Sequence, residues 1–135
     1  MEERVSQMNT IQEKLMLGLE AQQNQQFEVA AACYQRILSE EPEHPETNHA
    51  VGLLLIANNQ LTDAIPFLAK ALEFRPEVDH LWLDCIDAMI GVEQWGDAAS
   101  LIERAREAGL PADELDLRNL RALHGVIERN LAEPA

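Results

Sequence analysis

A period of 34 residues runs through this chain and limits what it can fold into. Pro42 and Pro76 stand one period apart; Ala30, Ala64 and Ala98 keep the same interval, as do Gln26, Gln60 and Gln94. Gly18 and Gly52 share the register, and the bulky residues Phe27, Leu61 and Trp95 follow the glutamines. One coincidence of spacing would carry little. Five registers holding one interval mark a repeat, and a repeat of this length is a single supersecondary unit stacked on its neighbours.

Each period holds two helical patterns. Apolar residues recur at three and four, as in Leu15 and Leu19 and again in Ile37 and Leu38 after Tyr34, which is helical and not strand spacing. The pattern predicts helices near 10–24 and 27–40, 45–58 and 61–74, 79–92 and 95–108. Punctuation agrees: Asn24, Asn58, Asn59 and Gly96 lie near the expected tight turns, and Pro42, Pro76 and Pro111 follow the second helix of each pair, where proline stops a helix.

These residues resemble the tetratricopeptide repeat (TPR) family, a 34-residue helix–turn–helix with glycine at position 8, alanine at 20 and 27, a large residue at 24 and proline at 32. With position 1 at Ile11, Pro45 and Asp79, position 8 holds Gly18 and Gly52, and position 20 holds Ala30, Ala64 and Ala98. Position 24 holds Tyr34, Leu68 and Ile102; position 27 holds Ile37, Ala71 and Ala105; position 32 holds Pro42, Pro76 and Leu110. The resemblance covers about residues 11–110. It implies an all-α fold, a right-handed α-solenoid of three helix-turn-helix repeats (about 11–44, 45–78 and 79–112), preceded by residues 1–10 as an extension of the first helix. Small residues at the closest approach of two helices, with larger ones flanking, are what such packing requires.

The third unit departs from the pattern, with Ile86 at position 8 and the terminal proline shifted to Pro111; of the position-4 residues Lys14, Asn48 and Trp82, only the last is aromatic. Beyond it a further helical pattern spans roughly 113–131, with Asp113 as its expected N-cap and Leu117, Leu120, Leu123, Ile127 and Leu131 as its apolar stripe. An open array leaves an apolar end to cover, so residues 113–135 read as a capping helix and tail. The alternative is the first half of a fourth repeat.

Charge excludes some partners. Ten Lys+Arg against 24 Asp+Glu give a net charge of −14, which repels a phosphate backbone or an anionic membrane, so neither nucleic acid nor membrane is an expected partner. The longest run free of strongly polar residues, Ala50 to Ala57, is far short of a membrane span, and the acidic N-terminus is no secretory signal. Cys33 and Cys85 both fall in helical apolar patterns, where a reduced buried thiol is the usual state. A cytoplasmic setting follows.

No Gly-rich phosphate loop, nucleophile elbow, paired-cysteine or zinc-protease motif appears, and neither an enzyme activity nor a cofactor is expected. His80, Asp84 and Asp87 share a helix face, with His49 on the preceding repeat beside them. Such a set could hold a divalent metal, but its ordinary role is a polar groove wall, and no metal is assigned.

The resemblance places a peptide-binding groove on the concave face lined by the first helix of each repeat. Gln12, Leu15, Leu19 and Gln22 map to it in the first unit, Glu46, His49, Leu53 and Ile56 in the second, and His80, Leu83, Asp87 and Ile90 in the third. Relatives that clasp the acidic C-termini of heat-shock chaperones use Lys, Arg and Asn at positions 2, 5, 6 and 9. None of those types occupies the matching places here, which include Met16, Ala50 and Asp84. The expected function is therefore a non-catalytic interaction scaffold for a protein or peptide segment with apolar anchors and a neutral or basic character. Two other readings remain open: a docking or regulatory domain of a larger enzyme of glycosyltransferase, methyltransferase or sulfotransferase type, and a homo-oligomer formed through the terminal stripe or an uncovered end.

Overall fold

The computed structural model of the chain describes residues 10–132; the expected extension of the first helix over 1–10 lies outside these residues except for Thr10. Among the described residues there are seven helices and no strand: α1 (Ile11–Gln23), α2 (Phe27–Glu40), α3 (Pro45–Ala57), α4 (Leu61–Phe74), α5 (Asp79–Gly91), α6 (Trp95–Glu107) and α7 (Ala112–Ala132). Successive helices pack on one another, and the first helices of neighbouring pairs also touch, α1 with α3 and α5 with α7. The result is an all-α helical-repeat solenoid. Among the described residues no helix is long and apolar enough to cross a membrane.

The periodic small residues are the contact points. Ala30, Ala64 and Ala98 are fully buried, as are Ala71 and Ala105. A Cβ on Gly18 would stand 2.6 Å from Tyr34 Cε1, and one on Gly52 would stand 2.5 Å from Leu68 Cδ2. Position 8 must be empty because position 24 of the same unit fills it. In the third unit these positions hold Ile86 and Ile102, both fully buried, and α5 lies less closely along α6 than α1 along α2 or α3 along α4.

Four of the turns share one backbone solution. Gln25, Asn59 and Glu93 adopt φ of 62°, 62° and 63°, and Gly109 adopts 96°. After each, an amide returns to the last turn of the helix: Gln26 N–H to Ala21 O at 2.8 Å, Gln60 to Leu55 at 2.8 Å, Gln94 to Met89 at 2.9 Å and Leu110 to Ala105 at 3.1 Å. These are Schellman caps. Their left-handed residue falls at Gln25, Asn59 and Glu93, so the asparagines at 24 and 58 are the C-caps that precede it. Gly96 sits in the first turn of α6 and makes no turn.

Between repeats, position 4 ties the units together. Asn48 Nδ2 donates to Pro42 O at 3.1 Å, and Trp82 Nε1 donates to Pro76 O at 2.8 Å. An amide and an indole thus satisfy the same carbonyl, one period apart. Lys14, at the equivalent place in α1, pairs instead with Glu40 at 2.9 Å.

α7 differs from the sequence expectation at two points. It begins at Ala112, one residue before Asp113, whose carboxylate accepts the neighbouring Glu114 N–H at 3.1 Å inside the first turn; Asp113 is not the N-cap. Its buried face is Leu115, Ala122 and Gly125, with Gly125 against the Trp95 ring, which a Cβ there would penetrate. The expected apolar stripe points outward. Gly125 lets α7 lie close against α6 at Trp95, where a larger side chain would hold it away.

Candidate functional site

The predicted groove residues lie on α1, α3 and α5, the first helix of each pair. Helical periodicity sends positions 2, 5, 6 and 9 of each to one side, and the structure sorts them by exposure. Leu15 does not belong to this surface. It is 2% exposed and packs with Ala30, Tyr34 and Ile37 in the core, since a leucine one turn before Gly18 faces α2 rather than solvent. Ile56, Leu83 and Ile90 are half-buried, resting on the second core cluster, and expose only part of their side chains.

Leu19 and Leu53, one period apart, are 43% and 38% exposed. Gln12 and Glu46 are exposed near the helix N-termini, and Gln22 is half-buried, its Oε1 accepting the Tyr34 hydroxyl at 2.7 Å. Burial pushes that phenol up to about 12, so Tyr34 keeps its proton and its bond at any ordinary pH.

The polar residues cross-link the repeats. His49 Nε2 lies 2.8 Å from Asp84 Oδ2, bridging α3 to α5, and the His80 ring tilts at 45° over His49 with centroids 5.2 Å apart. Asp87 turns away from that group. It takes a bidentate pair from Arg118, at 2.7 Å from Nε and 3.0 Å from Nη2, which joins α5 to α7. The same guanidinium lies 3.5 Å from Glu114, and its hydrogen bond to Asp87, joined by the charges of both carboxylates, holds it still more firmly charged than a free arginine. Among the described residues no three His, Cys, Asp or Glu side chains stand together so as to hold a metal. The acidic cluster is a set of inter-repeat struts.

Sequence reasoning did not reach Arg118, and it named Met16 only as a place without a clamp residue. Met16 and Arg118 belong with Ala50 and Asp84 to a single register at position 6, and continuing the period by one more unit would have found the arginine. Met16 is 62% exposed beside Leu19. The thiols are both free: Cys85 is buried and pushed up to about 11 by desolvation, while Cys33 is half-buried and raised for the same reason.

Paired antiparallel helices in a fixed period, with their first helices presenting a continuous mixed face, define the helical-repeat class of protein-interaction modules. The tetratricopeptide repeat signature matches residues 15–79 and again 55–123. The chain belongs to the tetratricopeptide repeat family. Among solved structures it is similar to the TPR2B domain of yeast Sti1 in a pHsp70 complex, at 21% identity with a TM-score of 0.69, covering 84% of this chain and 96% of that one. It is also similar to the Sgt2 TPR domain from Aspergillus fumigatus, at 19% identity and TM-score 0.70, covering 93% and 85%. A third similar fold is the MamA RS-1 ArsTM double mutant, at 15% identity and TM-score 0.69, covering 96% and 81%. No curated protein sequence matches the chain.

Proposed function

We propose that the chain docks an extended or helical peptide segment, neutral or basic with apolar anchors, on the face lined by α1, α3 and α5, and does no chemistry of its own. One observation carries this reading. Leu19 and Leu53 repeat an exposed apolar contact at equivalent positions of successive repeats, with Met16 beside the first. At the next equivalent position stands Asp87, already held by Arg118. The anchor strip therefore covers two repeats and ends at an ion-paired wall. The pHsp70 complex of the Sti1 domain supports a protein or peptide as the partner class. It does not transfer the chemistry: positions 2, 5, 6 and 9 of the three repeats here carry no lysine, arginine or asparagine, and Arg118 on α7 is committed to Asp87. A net charge of −14 disfavours an acidic ligand further. Two free thiols support a reducing, cytoplasmic setting.

Binding of a peptide panel with fixed leucine anchors and varied flanking charge, read by fluorescence anisotropy, tests this. Peptides with neutral and basic flanks bind and acidic ones do not. Leu19→Glu with Leu53→Glu, both exposed and so tolerated by the fold, abolishes binding while the helical circular-dichroism signal persists. Undiminished binding by the double variant sinks the proposal.

A further inference from the structure

α7 turns its most apolar side to solvent. Leu117, Leu120, Leu123, Ile127 and Leu131 are 44–81% exposed and, at ~100° per residue, fall in one arc of about 120° opposite the side that meets α6. Scattered surface leucines need no explanation, but five on one helical stripe mark a contact surface. The register says what kind. Leu120 continues the 34-residue register of Gly18, Gly52 and Ile86, and Leu123 continues that of Ala21, Leu55 and Met89. In the first and second pairs the glycines face their own second helix at Tyr34 and Leu68, and Ala21, Leu55 and Met89 are buried or packed on the core. Leu120 and Leu123 of the bare stripe thus continue the registers that face inward in the earlier pairs.

We propose that this helix is supplied by a second copy of the chain, α7 pairing antiparallel with its counterpart about a two-fold axis near Leu123. The stripe is close to palindromic: Leu117 meets Leu131, Leu120 meets Ile127, and Leu123 meets itself across the axis, the self-complementarity that an isologous contact demands. Charges on the flank obey the same symmetry. Arg121 makes no ion pair within the described residues, and the two-fold sets it, twice per dimer, opposite Glu128 of the other copy, which within its own helix lies 3.5 Å from His124. On the other side of the stripe Asp116 is already neutralised by Arg106 at 2.9 Å. The helix as a whole sets four carboxylates against three guanidinium groups, so the −14 of the chain lies away from the contact and is screened within ~8 Å at physiological salt. Five aliphatic side chains from each copy form an interface at the small end of the stable range, so the dimer is one that dissociates on dilution.

Sedimentation equilibrium of the full chain from about 1 to about 300 µM reads it directly. The expected mass rises with concentration from 15.2 kDa toward twice that value. Leu120→Glu with Ile127→Glu, both exposed in the monomer, holds it at 15.2 kDa throughout. Arg121→Glu raises the dissociation constant about tenfold, and the exchange Arg121→Glu with Glu128→Arg restores it, because each copy then offers the reverse pair. A monomer at every concentration shows that a second copy does not cover the stripe and overturns the proposal. So does a dimer that survives the two glutamates, or a charge exchange that fails to restore association.

Discussion

Replacing Gly52 by alanine and Gly96 by alanine makes the same chemical change with opposite expected signs. Both glycines are helical, so alanine at either recovers about 0.5–1 kcal/mol of backbone propensity. At Gly96 nothing lies within 4 Å of the new methyl group, and that gain stands alone. At Gly52 the methyl would sit 2.5 Å from Leu68 Cδ2 and 2.8 Å from its Cγ. The second atom is a branch point, not a free end, and Leu68 is fully buried. Relief therefore requires α3 and α4 to separate, and overpacking of this kind costs about 1–3 kcal/mol. The net expectation for Gly52→Ala is a loss of about 1–2 kcal/mol, a fall in Tm of about 3–6 °C, against a small rise for Gly96→Ala. Urea unfolding followed at 222 nm measures both, with the slope unchanged. If Gly52→Ala proves as stable as Gly96→Ala, position 8 is not the point of closest helix approach and the packing argument fails.

Trp82→Phe removes the indole donor to Pro76 O while keeping most of the ring, and the orphaned carbonyl costs about 1 kcal/mol in the same urea assay. Glu93→Gly relieves a left-handed non-glycine residue and stabilises by about 1 kcal/mol, with Gly109 the built-in precedent. Cys33 reacts with a thiol reagent before Cys85, which burial holds protonated up to about 11; equal rates on the native protein would refute its placement. Raised thiol and phenol values in the fold mean that the unfolded chain ionises first as pH climbs. Stability therefore holds below the ordinary thiol range and falls between there and about 12, and Tyr34→Phe makes that fall shallower above pH ~10.

The helices could be read from the chain because their causes are local: apolar spacing of three and four, prolines at 42, 76 and 111, and a period of 34 that fixed the partner of each helix in advance. The turns were less legible. A Schellman cap is set by backbone closure, which accepted Gln25 and Glu93 as readily as Asn59 and Gly109, so residue type pointed only to the neighbourhood. The site was legible as a face and not as a list, since Leu15 and Leu19 share a stripe in sequence, yet one faces Tyr34 and the other faces solvent.

Sequence by itself determined the repeat, the seven helices and the small residues at each crossing, because a glycine or alanine recurring at a fixed interval has meaning only as a close helix contact. Tertiary structure decided which polar side chains remain free. Asp84 and Asp87 look alike on α5, but His49 reaches one from α3 and Arg118 reaches the other from α7. It also decided the fate of the α7 leucines. A helix has two sides that could bury, and the one that did was the side whose glycine and alanine admitted Trp95, leaving the larger residues outward.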